Sequence, residues 1–335
     1  GRKMNDKQNA IVVTTINNDT EALREISTGL TKNNLRFIVI GDRKGPEILN
    51  IKNAEFYSID DQMKTNFELA LLLPENHYAR KNLGYLIAMK DAEYVIETDD
   101  DNIPYADFFK APKKMVNGVV SSENNWCNVY KHFTNQLIWP RGIPLQFISN
   151  FNIQNLSETV EIECPVQQGL ADVDPDVDAI YRLILNKPVT FDRKSSLIIT
   201  EGSWCPFNSQ NTKWLQKVFP LMYLPSYCSF RMTDIWRSFV AQNWILSQGM
   251  GVSFSNASVL QKRNFHDLEK DFIDEIPGYI NNHNIRLELL KIDTDIGMLD
   301  YLIKAYQKLS EIGVVDKKEM PLVKAWCKDV SRVWE

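Results

Sequence analysis

The 335-residue chain has no cysteine pair at C-x-x-C spacing: Cys127, Cys164, Cys205, Cys228 and Cys327 are scattered and odd in number. That argues against a structural zinc site and gives no disulfide framework, so a reducing compartment is favoured. No apolar run reaches the roughly 18–20 residues of a membrane span. No apolar stretch follows Gly1-Arg2-Lys3 either, so no secretory signal is expected. A basic excess is missing too, with 38 Lys and Arg against 43 Asp and Glu for a net charge of −5. A nucleic-acid partner is therefore not expected, and a small molecule or another protein is. The chain lacks both G-x-x-x-x-G-K-[ST] and G-x-G-x-x-G, which removes the P-loop and dinucleotide phosphate cradles. What remains is ordinary: 44% hydrophobic, 24% charged, 14 Gly and 14 Pro. Disordered and collagen-like classes drop out on that composition. Sequons at Asn18, Asn155 and Asn256 arise by chance in a chain this rich in Asn and Ser.

The first hundred residues alternate between two periodicities. Strands are expected at 11–16, 36–40, 55–59 and 92–96, and a helix at 77–89 carries Leu83, Leu86 and Ile87 as an apolar stripe. Asn18 or Asp19 is expected to cap the helix that bears Leu23, Ile26 and Leu30. Such alternation implies an α/β fold with a parallel sheet covered on both faces. Residues 120 to 230 read as short strands and long loops, 233–247 as a helix, 251–260 as a strand. From Asp267 onward a C-terminal helical appendage is expected, with a periodic stripe over 287–309. The expected division is a catalytic domain over 1–262 and the appendage over 263–335.

Ligands of open parallel sheets bind outside the carboxyl ends of the strands. The residues expected there are Thr14-Thr15, Asp42, Asp60-Asp61 and Asp99-Asp100-Asp101, small hydroxyls and acids suited to ribose, a base edge or a hard cation. Three adjacent carboxylates repel one another unless something positive sits beside them. Alternate residues share a face when extended, so Asp99 and Asp101 can point at one site. All-oxygen ligation suits Mg²⁺ or Mn²⁺, completed by phosphate oxygens. Arg80 and Lys81, opening a helix, can meet phosphate or a base carbonyl. Asp172, Asp174, Asp176 and Asp178 also alternate, so an extended segment would offer Asp176 and Asp178 to an acceptor or sugar hydroxyl. Trp126, Tyr130, Phe133 and Trp139 are candidates for stacking on sugars, with at least half expected in the core.

These residues carry a resemblance. Thr14-Thr15, Gly41-Asp42, Arg80-Lys81-Asn82-x-Gly84 and the acidic cluster after an apolar strand resemble a GT-A nucleotide-sugar glycosyltransferase with its D-x-D motif. More narrowly, the stretches 76–85, 97–102, 139–145, 167–179, 208–212 and 230–237 resemble, in order, the STELLO family of glycosyltransferase-like proteins. That family is in turn similar to the reversibly glycosylated polypeptides. The likeness runs from about residue 11 to about 275, and Val173 stands where the family pattern leads one to expect Gly. It implies a GT-A fold, Rossmann-like and mostly parallel, in a protein of polysaccharide biosynthesis. Asp99 would meet the ribose or metal, Asp101 the metal, and Arg80, Lys81 and Asn82 the nucleotide. Asp100, Thr14, Thr15, Asp42 and Asn208 join the donor-binding set. Trp204 and Arg237 fall beside the sugar and His266 at a third metal position. Asp234 aligns with the base of inverting enzymes, helix capping being its alternative role.

The function implied is metal-dependent transfer from a nucleotide diphosphate sugar, a uridine diphosphate sugar first, to a glycan, lipid-linked or other hydroxyl acceptor, with inversion and with Mn²⁺ or Mg²⁺ as cofactor. A nucleotide-sugar mutase and a non-catalytic regulator are the alternatives. The expected location is cytoplasmic, at most peripheral to a membrane, or the Golgi lumen if an N-terminal anchor has been removed.

Overall fold

A computed structural model describes residues 7–121, 123–149, 156–263 and 265–334, so the sequon at Asn155 lies outside the described residues. Its first half is built from β1 (Ala10–Thr14), α1 (Glu21–Gly29), β2 (Arg36–Ile40), β3 (Ala54–Tyr57), α2 (Ile59–Met63), α3 (Glu68–Leu72), α4 (Lys81–Met89) and β4 (Tyr94–Thr98). β1 pairs in parallel with β2 and β4, and β2 with β3. The strands are short, apolar and β-branched, and Ile11, Val12, Val13, Ile38, Val39 and Ile96 are all fully buried, as parallel strands covered on both faces must be. Gly84 lets α4 lie on the sheet, because a Cβ there would stand 2.5 Å from Val12 Cγ1.

The second half adds β5 (Asn102–Pro104), β6 (Met115–Val120), β7 (Asn125–Trp126), α5 (Tyr130–Phe133), β8 (Val160–Glu163), β9 (Val166–Val173), α6 (Ala179–Ile184), β10 (Ser196–Ile199), β11 (Ser203–Trp204) and β12 (Asn211–Leu215). Then come α7 (Thr233–Ser247) and β13 (Val252–Gln261). The main sheet runs β3-β2-β1-β4-β12-β9-β13-β10-β6-β8, with β5 paired to β13 and a separate β7–β11 ribbon. β12 enters antiparallel between β4 and β9, while β9 and β13 run parallel. The result is a large open sheet flanked by helices, the GT-A-like arrangement expected.

Three helices close the chain: α8 (Leu268–Leu289), α9 (Met298–Glu311) and α10 (Glu319–Val333). The stripe expected to run on over 287–309 is broken between Leu289 and Met298, where Asp293 Oδ1 accepts the Asp295 N–H. Ile285, Leu289, Tyr301, Leu302 and Trp326 join Trp214 and Phe239 in one contiguous apolar core. Polar ties match this packing: the buried Asp329 carboxylate accepts the Glu68 and Leu69 N–H groups at the start of α3. Among the described residues, no helix is long and apolar enough to cross a membrane.

Two local expectations are corrected by caps. Thr20, not Asn18 or Asp19, caps α1, since its Oγ1 accepts the Leu23 N–H and donates to Asp100 O. Asp60 and Asp61 do not end a strand. Ser58 and Asp61 form a capping box at the start of α2, so the Asp61 carboxylate is spent on the Ser58 N–H.

Val173 carries the main backbone strain of β9. It has φ +74°, and Asp174 N donates to Asp172 O across it, which makes a γ-turn that suits glycine. A β-branched residue is a genuine outlier there. The position where the family resemblance expects Gly is thus one whose backbone favours Gly. Val173→Gly is expected to stabilise the protein by about 1 kcal/mol, read as a higher urea midpoint at unchanged slope.

Candidate active site

The ends of β1, β2 and β4 open into a cleft of ≈ 760 Å³. Thr14, Thr15, Asp42, Arg80, Asp99, Asp100, Asp101 and His266 all line it, together with Ile16, Lys44, His77, Tyr78, Phe230 and Lys270. The fold brings these segments together although Thr14 and Lys270 lie at opposite ends of most of the chain. Most of the sequence-predicted donor and metal residues therefore share one site.

Within it the three adjacent aspartates divide their work. Asp100 is structural: its Oδ2 accepts from Thr15 Oγ1 (2.6 Å) and Asn17 Nδ2 (2.9 Å), which pins the loop after β1 to the end of β4. Asp99 and Asp101 are left for a ligand. Lys81 stands behind Asp99 at 3.7 Å, its buried ammonium donating to Thr98 O (2.8 Å) and Ser209 O (3.0 Å). Desolvation raises the pKa of Asp99; Lys81 pulls it down, while Asp101, Asp100 and Asp234 push it further up. Its side chain is 41% exposed, so the direction holds while water screens part of the size. Burial also raises Asp101, with repulsion from Asp100, against the hydrogen bond it accepts from Gln261 Nε2 (3.2 Å). Both shifts come first from burial, with repulsion between neighbouring carboxylates added, so a further positive charge would favour both ionised forms. His266 lines the cleft beside them, with Nδ1 3.2 Å from Asp271 Oδ2.

No group of three His, Cys, Asp or Glu among the described residues is arranged to enclose a metal ion by itself. Two carboxylates whose ionised forms a positive charge would favour nevertheless suit Mg²⁺ or Mn²⁺ bound through one or two carboxylates and phosphate oxygens. Such an ion would need the ligand's phosphates to complete its shell.

Asp42 organises the cleft wall. Its carboxylate accepts the backbone N–H groups of Asn76 (2.6 Å), Arg43 (2.7 Å) and His77 (3.0 Å). Arg80 is 1% exposed, with Nε on Gln62 Oε1 (2.7 Å) and Nη1 on Leu73 O (2.9 Å). Asn82 does not reach the cleft: it exchanges hydrogen bonds of 2.9 and 2.8 Å with the backbone of Leu224.

The expected sugar and catalytic residues lie elsewhere. Asp234 is neither a free base nor a cap. Arg141 binds it through Nη1 (3.2 Å) and Nη2 (3.0 Å), and Ser209 N adds a bond of 3.2 Å. Desolvation opposes ionisation, but Arg141 overcomes it and holds Asp234 below the usual carboxylate range, so it is a weak proton acceptor. Arg141 also clamps Asp176 through Nε (2.8 Å) and Nη2 (2.9 Å), which takes Asp176 away from any sugar. With Asn208, Arg141 and Asp176 line a small cavity of ≈ 10 Å³, room for about a single water. Asp178 is a buried N-cap of α6 that accepts from Tyr181 N (2.9 Å) and Trp139 Nε1 (2.7 Å). Asp172 binds Arg193 (3.0 Å) and Tyr105 (3.0 Å), so the alternating acids form no common face. Trp204 is core, packed on Trp126 and Phe239. So are Trp126, Tyr130, Phe133 and Trp139. Arg237 is fully buried against Glu97.

Sequence reasoning missed Arg141, whose only signal is the Trp139-Pro140-Arg141-Gly142 stretch, and the aromatic wall of His77, Tyr78 and Phe230. Both lie inside stretches that carried the resemblance.

The comparisons with known proteins point to one family. The family model of STELLO glycosyltransferases matches residues 231–333. That span runs from α7 through α10, beyond the point near residue 275 where the sequence likeness stopped. "Probable glycosyltransferase STELLO2" of Arabidopsis thaliana is 29% identical over 71% of this chain and 34% of its own length. "Probable glycosyltransferase STELLO1" of the same plant is 23% identical over 96% of this chain and 44% of its own. The chain thus spans less than half the length of these relatives. With its GT-A-like sheet and the cleft at the strand ends, the chain is similar to the STELLO glycosyltransferases.

Proposed function

We propose that the cleft takes a nucleotide diphosphate sugar, a uridine diphosphate sugar first, and that the chain transfers its glycosyl unit to a hydroxyl of a glycan or other acceptor. The observation that carries this is the pairing of Asp99 and Asp101, whose ionised forms a positive charge would favour, at the floor of a 760 Å³ cleft at the strand ends. Asp99, Asp101 and His266 would hold the cation, which when bound supplies positive charge against the diphosphate as it departs. Lys81 fixes Asp99, Gln261 fixes Asp101, and Asp271 orients His266. Lys44 and Lys270, also on the cleft wall, add positive charge where an anionic ligand enters. Thr15 and Asn17, bonded to Asp100, fix the loop after β1 where it lines the cleft.

The test is a panel of nucleotide sugars with Mn²⁺ and with chelator. Release of nucleoside diphosphate that stops in chelator is the expected result. Interconversion of the sugar without release would make the chain a mutase. Donor binding with neither reaction would make it a regulator.

A further inference from the structure

Two buried nitrogen donors in the wall of the cleft have no partner among the described residues. One is Arg80 Nη2, bare although Nε and Nη1 of the same guanidinium are bonded. The other is His77 Nε2. His77 Nδ1 accepts the Ala79 backbone N–H at 2.9 Å, so that nitrogen carries no proton and Nε2 of the neutral ring does. Burial keeps the ring neutral, with its pKa pushed down to about 4. Buried donors are nearly always satisfied in folded proteins. Two orphans on the wall of one ligand cleft point to a ligand that satisfies them.

Their place in the cleft says which part of the ligand. His77 hangs on Asp42, just beyond β2, whereas Asp99 and Asp101 follow β4. β1 lies between these strands, so the two sets stand about two strand spacings, roughly 10 Å, apart. A nucleotide whose diphosphate meets Asp99 and Asp101 carries its base on the far side of the ribose, toward His77. The wall there is aromatic: His77 stacks on Tyr78 at 5.4 Å, and Phe230 packs edge-on to both at 5.2 and 5.0 Å. Phe230 is 47% exposed and can turn aside, which uncovers the His77 edge and leaves a ring face for a base.

We propose that His77 reads the nucleobase: its Nε2–H, with Arg80 Nη2, donates to a base that presents carbonyl oxygen there, uracil or guanine, and rejects one that presents an amino group, cytosine or adenine. The inference rests on the donor-site reading above and adds the base to it. The discrimination is by mismatch. An amino group meeting His77 Nε2–H sets donor against donor, and both lose the water they had.

Calorimetry of the full chain with uridine, guanosine, cytidine and adenosine diphosphates, each with Mn²⁺, tests it. The parent should bind uridine or guanosine diphosphate about tenfold more tightly than the other two, and the two favoured arms separate uracil from guanine. Two variants remove the donor differently. His77→Asn keeps an acceptor for the Ala79 N–H but does not reach the base, and His77→Phe keeps the ring packing. Melting curves confirm folding. Both variants should bring the four affinities to within about twofold. Phe230→Ala should weaken all four alike, since stacking is indifferent to the base edge. A parent without preference, a preference that survives in both His77 variants, or one abolished by Phe230→Ala alone overturns the assignment of base reading to His77 while leaving the donor site standing. Failure of the parent to bind any diphosphate overturns the donor reading itself.

Discussion

Asp99→Asn and Asp101→Asn should each lower cation-dependent affinity for a nucleoside diphosphate at least about 100-fold, since loss of a mere supporting partner of a metal ligand already costs 10–100-fold. The same changes should slightly raise the melting temperature of the ligand-free protein. The two effects have one cause. Asp99 is raised by desolvation and by the neighbouring carboxylates, and Asp101 by burial and Asp100. Both are therefore held in a state that costs stability until positive charge arrives. A neutral amide removes the repulsion and the ligand together. Because Asp99, Asp101 and His266 do not by themselves close a cage among the described residues, Mn²⁺ alone should bind weakly, and nucleotide and cation should strengthen each other. Calorimetry of Mn²⁺, of uridine diphosphate and of both together measures that coupling, and melting curves measure the stability. Variants that lose binding and also melt lower would mean that these carboxylates hold the fold rather than a ligand.

Asp100→Asn makes the internal comparison. Its Oδ2 accepts two hydrogen bonds from the loop after β1, and an amide oxygen can still accept them. Donor affinity should fall far less than for either neighbour.

What the sequence made legible follows from which interactions are local. Strand periodicity placed Arg36–Ile40 to the residue, because four consecutive apolar positions, Phe37 to Ile40, bounded by Gly41-Asp42 leave few alternatives. Helical periodicity placed α7 over 233–247. The acidic triplet was legible because like charges side by side need an explanation whatever the fold. Which of the three is structural was not legible: that depends on Thr15 and Asn17, more than eighty residues away in sequence. Asp234 shows the same limit more sharply. Its partner Arg141 lies 93 residues upstream, and that guanidinium turns a candidate base into a weak acceptor. The alternation of Asp172, Asp174, Asp176 and Asp178 promised a shared face only if the segment stayed extended. The γ-turn at Val173 and the start of α6 at Ala179 end the extension, so each acid finds its own partner.

Arg237→Met should destabilise the protein by about 3–5 kcal/mol, the loss expected when one member of a buried ion pair is removed. Arg237 was expected at a sugar, but it is fully buried, and so is Glu97. Arg237 Nη1 meets Glu97 Oε2 at 3.0 Å and Tyr85 Oη at 3.1 Å, Nη2 meets Glu97 Oε1 and Asn208 O, and the guanidinium sits 5.0 Å from the Trp214 ring centroid. These contacts tie α7 to α4, β4 and β12, the elements beneath the cleft. Methionine fills much of the same volume, so the loss is that of the charge and not of a cavity. What remains is a buried carboxylate whose one hydrogen-bond donor among the described residues is the Tyr85 hydroxyl. Removing Glu97 as well should therefore recover most of the loss: Glu97→Leu with Arg237→Met replaces the pair by apolar groups, which is often neutral. Urea denaturation of the parent, both single variants and the double variant gives the coupling energy directly. A coupling near zero, with Arg237→Met as stable as the parent, would mean that this guanidinium is free for a ligand after all. A strong coupling fixes Arg237 as the strut that holds α7 against the strand from which Asp99 and Asp101 project.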